Sequence, residues 1–566
     1  MKLETFFKKF DQFADAPDAV AKMRELVLEL AVQGKLVDQK PKELSARECI
    51  RNANKPLVDV TPDESIETPA GWVALPLGCL IAANTGGGTP SKQNPSYWNG
   101  PIPWASVKDV QSDKYLVATI DSITEAGLKD SSSNLIPPNR LIVVTRMGLG
   151  KLAINTISVA INQDLRAVEP TGALDLDFAY LLFKSLKMVG SGVTVKGITV
   201  EKLHAMHVSL PPLAEQTRIV AKVDELMVLC DRLEAQQKER ETQHAVLARA
   251  SLARFADAPT PANLPILFHP SFTIPPADLR KSILTLAVQG KLVPQAPNDE
   301  PAARVLERID AAPKRAMRTR ATDEDEGDEP TELEPLFELP PGWEWAPFRR
   351  LPLQASVGID RGRSMQGPDK AVGYFKMNNI RNSGGVDLSD LTRIDATPDE
   401  VEAFALADGD FLFNTRNSRE LVGKTCVFRA PSDDPILYNN NILRVRFIEG
   451  FSPDFLDYWF RSPEGSAALE KLKSNTTNVC AIYQGKLSGF PCAIPPLAEQ
   501  RRIVAKVEQL MALVDALETQ LAASRATSAN LLSALVAELT GTPNDSKVSV
   551  PSSSGTGRRG RPRKSA

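Results

Sequence analysis

Two long stretches of the chain, 213–258 and 497–540, contain neither glycine nor proline, and in each the apolar residues fall along one stripe. Ile219, Val223, Leu226, Cys230 and Leu233 are spaced 4-3-4-3, and Ile503, Val507, Leu510, Val514, Leu517 and Leu521 are spaced 4-3-4-3-4. That is the seam of a two-stranded coiled coil, so the pattern predicts two long helices packed on one another or on a partner. A double proline opens each helix, where the missing N–H has no intrahelical acceptor to lose. Glu215 and Glu499 set a carboxylate in each first turn, at the positive end of the helix dipole.

The two helices are copies. Residues 211–236 and 495–520 are identical at 19 of 26 aligned positions, and LELAVQGKLV at 28–37 returns as LTLAVQGKLV at 284–293. The order short helix, variable region, long helix therefore occurs twice, a tandem duplication of a unit of about 260 to 280 residues, far longer than a solenoid repeat. Gly34 and Gly290 suit the left-handed cap that ends the short helix. A polar, proline-containing stretch then leads to PAGW at 69–72 and PPGW at 340–343, which open the variable regions.

Within those regions the runs LIVVTR, VTVKGITV, DFLFNTR, CVFRA and ILRVRF read as strands between Gly, Asn and Pro turns. DFAYLLFKSL and DFLDYWFRS read as helices. Each variable region is thus an α+β globule. The N-terminal short helix has no long helix before it, and the C-terminal long helix has no short helix after it. Pairing those two closes a circularly permuted pseudo-dyad. The expected fold is two α+β domains separated by long antiparallel coiled-coil helices. Its parts are an N-terminal helical region (1–65), a first globule (66–210), central helices (211–310), a charged linker (311–336), a second globule (337–494), a C-terminal helix (495–540) and a disordered basic tail (541–566).

At 566 residues, 42% hydrophobic and 24% charged, the chain has the composition of ordinary globular protein and should form several domains. The start, MKLETFFKKF, lacks the apolar core of a signal peptide, and no run has the roughly 18 apolar residues of a membrane span. Six cysteines without a CxxC pair indicate neither a zinc ribbon nor a disulfide framework, which fits a reducing, cytoplasmic setting. A net charge of −3 counts mildly against a naked nucleic-acid binder, for which a basic balance is expected. Local runs differ: Lys314, Arg315, Arg318 and Arg320 precede the acidic block DEDEGDE at 323–329, which has two readings, cancelling positive charge carried elsewhere or, more simply, keeping the linker solvated.

These motifs identify a resemblance to the specificity subunits of Type I restriction-modification systems, covering 26 to about 540. It rests on the paired PPLAEQ helices, the paired QGKLV segments and the paired Gly-Trp signals. In the variable regions, GGGTPS…NPSYW…IPW at 86–104 is similar to the family's first-region opening. Thr145-Arg146 with Gly150-Lys151 parallels Thr415-Arg416 with Gly423-Lys424, and INQDLRAV at 161–168 parallels YNNNILRV at 438–445. The resemblance implies a DNA reader without chemistry of its own. Each globule would be a target recognition domain gripping one half of a bipartite, asymmetric duplex target. The helices would space the globules and dock two adenine-methyltransferase subunits, and motor-nuclease subunits would join them. S-adenosylmethionine, ATP and Mg would be bound by those partners and none by this chain. The second region has GIDRGRS at 358–364 in place of GGGTP, so the half-sites should differ.

Arginine forks onto guanine, Asn or Gln onto adenine, and Lys, Thr and exposed glycine amides hold phosphates. The candidate DNA-contacting residues are Gly87, Thr89, Lys108, Thr145, Arg146, Lys151, Asn162 and Gln163 in the first region. In the second they are Arg361, Arg363, Asn378, Thr415, Arg416, Lys424, Asn439 and Asn440. Arg146 and Arg416 recur at matching positions, which favours a shared backbone or supporting role, and base readers should lie among the residues that differ. Asn162, Gln163, Asn439 and Asn440 have a second reading as turn residues satisfying their own backbone.

Two alternatives of another class are a self-contained methyltransferase or restriction enzyme and a coiled-coil scaffold binding protein. Catalytic motifs are incomplete. Gly423-Lys424-Thr425 has Ser418 where a phosphate loop needs its first glycine. Asn94-Pro95-Ser96-Tyr97 lacks the second proline of an adenine-methyltransferase motif and the preceding glycine cluster. No Glu-x-Lys occurs, and His204 and His207 have no third metal ligand nearby. The tail GRRGRPRKSA resembles an AT-hook, although a disordered basic tail with nonspecific affinity reads more simply.

Overall fold

Gly34 and Gly290 end the helices Ala19–Val32 and Pro276–Val288 with φ of 68° and 67°. A Cβ at Gly34 would lie 2.6 Å from Pro69 and 3.0 Å from Trp72, and one at Gly290 would lie 2.5 Å from Pro340 and 3.0 Å from Trp343. Only glycine fits both the backbone and the space, so in each half the helix-ending glycine is the seat of the following Gly-Trp motif. The computed structural model describes residues 16, 18–53, 66–111, 113–186, 197–258, 260, 262–267, 273–313, 335–475 and 479–541. The charged runs at 314–329 and the basic tail lie outside these residues.

The chain divides into two compact units, Met1–Glu239 with Ala523–Ala566, and Arg240–Ala522. The first long helix, Leu213–Asp257, starts in unit 1 and ends in unit 2, and the second, Leu497–Thr540, does the reverse. In unit 1 the seam residues Ile219, Val223, Leu226 and Cys230 share a core with Leu532 and with Met23, Leu26, Val27 and Leu30 of the N-terminal helix. In unit 2 Ile503, Val507, Leu510 and Val514 share a core with Ala248, Phe255, Leu279 and Ile283. In each unit the start of one long helix thus shares a core with the end of the other. The C-terminal helix stands in unit 1 where the end of the first long helix stands in unit 2, as the circular permutation requires.

In unit 1 the strands are β1 (Val73–Pro76), β2 (Ile81–Gly86), β3 (Trp98–Ala105), β4 (Tyr115–Leu116), β5 (Asp121–Ile123), β6 (Leu135–Ile136), β7 (Arg140–Val144), β8 (Leu152–Asn155), β9 (Val159–Ile161), β10 (Leu165–Pro170) and β11 (His207–Leu210). They form a five-stranded sheet β2-β10-β7-β8-β4, a four-stranded sheet β5-β3-β9-β6 and the antiparallel pair β1-β11, which closes the globule before the long helix. The apolar helix Leu176–Ser185 buries Phe178, Leu182 and Phe183 in the core of the long helix, together with Leu141 and Val143 of β7. One run departs from the β reading. Of 193–200, the residues to 196 lie outside the described part, Gly197 makes a single bridge to Arg146, and Thr199 caps a helix, Val200–His204. The Thr199 hydroxyl accepts the Lys202 N–H, so local capping outweighs β propensity there.

Unit 2 repeats the plan with β12 (Glu344–Pro347), β13 (Gln354–Val357), β14 (Val372–Phe375), β15 (Thr392–Ile394), β16 (Phe411–Asn414), β17 (Arg416–Asn417), β18 (Thr425–Val427), β19 (Ile436–Tyr438), β20 (Ile442–Arg446), β21 (Ser474–Asn475), β22 (Cys480–Ala481) and β23 (Pro491–Ile494). Its sheets are β13-β20-β16-β18, β15-β14-β19, β17-β22-β21 and the pair β12-β23. The helix Pro453–Arg461 buries Phe455, Trp459 and Phe460 as its counterpart does in unit 1.

A duplicated polar lock explains the repeated PPLAEQ. Glu215 accepts the Trp72 indole N–H at 3.1 Å and the Gln39 amide at 3.2 Å, while Gln39 also donates to Gly34 O at 2.9 Å. In unit 2 Gln295 donates to Glu499 at 2.7 Å and to Gly290 O at 3.1 Å. Gln216 donates to Ala173 O and Pro211 O and accepts the Asp175 N–H, and Gln500 donates to Pro495 O and accepts the Ser452 N–H. Both Glu-Gln pairs are buried. They bind the long helix to the short helix and to the globule, and burying such groups unpaired would cost about 1–3 kcal/mol each.

Candidate nucleic-acid interface

In unit 1 the ends of several strands meet at one turn, 162–164. Strands β3 and β9 run parallel, Trp104 opposite Ala160 and Ala105 opposite Ile161. Just beyond them the Asn162 N–H donates to Ala105 O at 3.0 Å. Thr145, at the end of β7, donates its N–H (2.9 Å) and its hydroxyl (3.2 Å) to Asp164 O. The 87–89 segment lies against the same turn: the Gly88 N–H donates to Ile161 O at 3.0 Å, and a Cβ at Gly87 would fall 1.9 Å from that oxygen. Gly148 packs on Val107, where a Cβ would be 3.2 Å from the valine methyl. Segments 87–89, 105–108, 145–151 and 162–164 are thereby knitted into one rim.

The rim sorts the candidates. Lys108, Arg146, Lys151 and Gln163 are exposed on it, and Thr89 gives its hydroxyl to the Gln163 side-chain oxygen. Asn162 and Thr145 are buried, and the Asn162 side chain accepts the Asp164 N–H at 3.1 Å, which is its turn reading. Met147, between Arg146 and two left-handed glycines, is 67% exposed at φ 56°.

Unit 2 builds the same rim at 439–441. Strands β14 and β19 run parallel, Phe375 opposite Tyr438, and the Asn439 N–H donates to Phe375 O at 2.9 Å. Thr415 donates its N–H and hydroxyl to Asn441 O, both at 2.9 Å, and the buried Asn439 accepts the Asn441 N–H at 2.9 Å. A Cβ at Gly358 would lie 1.9 Å from Tyr438 O, the close approach that Gly87 makes in unit 1. Sequence reasoning passed over Gly358 because the GGGTP run has no counterpart of the same length. Its signal was the one glycine opening GIDRGRS.

Arg363, Asn378 and Arg416 are exposed on this second rim and Asn440 is half-buried. Two other candidates are turned to internal work. Lys424 donates to Ile380 O at 2.6 Å, and burial lowers its pKa, so the ammonium is tied to the fold instead of presented to a phosphate. Arg361 pairs with Glu400, whose carboxyl is held below its ordinary value mainly by that guanidinium.

Asn94 accepts the Ser96 N–H and hydroxyl at 3.2 and 2.7 Å, capping a short turn. His204 sits 3.1 Å from the Asn84 amide. Among the described residues no group of three His, Cys, Asp or Glu could hold a metal ion, and no helix is long and apolar enough to cross a membrane.

A family model for the Type I restriction modification DNA specificity domain matches 69–241. The EcoEI specificity subunit of Escherichia coli is 25% identical, with 91% of this chain and 93% of that protein covered. The EcoAI specificity subunit of the same species is 26% identical at the same coverage. The crystal structure of an HsdS subunit from Thermoanaerobacter tengcongensis aligns with 84% of this chain and 98% of its own, at 17% identity and a TM-score of 0.42.

Proposed function

We propose that the chain, similar over most of its length to Type I restriction-modification specificity subunits, selects the DNA sequence on which partner methyltransferase and motor-nuclease subunits act. Each globule reads one half of a bipartite, asymmetric duplex target. The long helices space the halves and seat two adenine-methyltransferase subunits. The chain brings no catalytic centre of its own, and the complex works in the cytoplasm.

One observation carries this reading. The two rims share a backbone frame, yet the side chains exposed on them differ: Lys108, Lys151 and Gln163 in one, Arg363 and Asn378 in the other. A common frame with divergent tips is what two readers of different sequences need, because frame contacts position and side chains specify. A protein-binding scaffold would be favoured by a broad exposed apolar area on the rims, whereas Met147 and, beside Arg363, Met365 are single apolar side chains set next to exposed cations.

Co-expressing the chain with its methyltransferase partner and mapping methylated adenines genome-wide tests the proposal. A single two-part motif with an unread gap supports it. Methylation without a motif, or S-adenosylmethionine bound by the purified chain alone, would overturn it.

A further inference from the structure

The two rims share strand register and hydrogen bonds at one turn, and this identifies positions that can discriminate. Ala105 pairs with Ile161 and Phe375 with Tyr438, both in parallel register. One residue on, the Ser106 N–H donates to the Asp109 carboxylate at 2.8 Å, and the Lys376 N–H donates to the Asn379 side-chain oxygen at 2.8 Å. The two turns have the same internal bond, so Lys108 and Asn378 occupy one geometric place. Both side chains are exposed, and neither is held by another side chain among the described residues.

Three other matched positions do not discriminate. Thr145 and Thr415 make the same inward bonds, as do Asn162 and Asn439. Arg146 and Arg416 are the same residue at the same place. At the Lys108 and Asn378 position alone, an outward side chain on a braced turn changes from a cation to an amide. Lysine suits guanine O6 and N7, while asparagine suits the N6 and N7 edge of adenine.

We infer that Lys108 and Asn378 are specificity-determining residues, Lys108 reading a guanine in one half-site and Asn378 an adenine in the other, while Arg146 and Arg416 hold phosphates. This rests on the DNA-recognition reading above. The experiment is adenine-methylation mapping of the full chain with its methyltransferase partner, as wild type, Lys108→Asn, Asn378→Lys and Arg146→Ala. Lys108→Asn should shift one position of one half-site from guanine towards adenine by about tenfold or more, leaving the other half intact. Asn378→Lys should do the converse in the other half, and Arg146→Ala should lower methylation at all sites without changing the motif. An unchanged motif in both position-swapped variants, with methylation merely weakened, makes these residues phosphate contacts and overturns the inference. A wild-type complex with no motif overturns the recognition reading itself, and is distinguished because it precedes any substitution.

Discussion

Trp72 donates its indole N–H to the carboxylate of Glu215 at 3.1 Å, joining the Gly-Trp entry of the globule to the first turn of the long helix across 143 positions of sequence. Burial raises the Glu215 pKa, against the opposing bonds from Trp72 and Gln39, and burial likewise raises that of Glu499. A carboxyl with a raised folded pKa favours the native state while it is protonated, and that contribution is lost as pH rises through the folded value. Gln accepts the same bonds without a charge. In Glu215→Gln and Glu499→Gln the melting temperature relative to wild type should therefore improve as pH is raised from about 4 to 7. A difference that is flat or falls with pH would show that the buried charge is not costly.

The rims depend on close backbone approach at Gly87 and Gly358. Alanine at either would place a methyl 1.9 Å from a carbonyl oxygen, and relieving such overlap costs about 1–3 kcal/mol or more. Gly87→Ala and Gly358→Ala should each raise hydrogen exchange in the turn they touch, 162–164 and 439–441 respectively. Gly362, at φ −61° with open space around its Cα, is the control, and Gly362→Ala should leave exchange unchanged.

Much of this was legible before any coordinates. Periodicity marked both long helices and their buried seams, and the repeat itself exposed the circular permutation, because each local signal agreed with the global plan. The rims were less legible. Arg361 and Lys424 carry the chemistry of DNA contacts but are turned to Glu400 and to Ile380 O. Which way a loop side chain points is set by tertiary neighbours, and no sequence period records it. The match between Lys108 and Asn378 was equally hidden, since the two turns share a hydrogen bond and not a residue.

The helix surfaces give a further test. Val220, Met227, Val504 and Met511 lie off the seam and pack partly against their own cores. Val228 and Leu513 instead are 50% and 44% exposed. Val228→Glu with Leu513→Glu should weaken assembly with the methyltransferase on a sizing column while leaving thermal stability within about 0.5 kcal/mol. Met227→Glu should lower stability itself. Assembly unaffected by the first pair would remove these faces from the docking surface.

The central claim is that one frame carries two independent readers. Replacing 72–209 with the equivalent region of a relative, co-expressing the chimaera with the methyltransferase and mapping methylated adenines examines it directly. The account predicts a motif in which one half is new, while the other half and the unread gap between them are those of the original chain. A motif changed in both halves at once would contradict it.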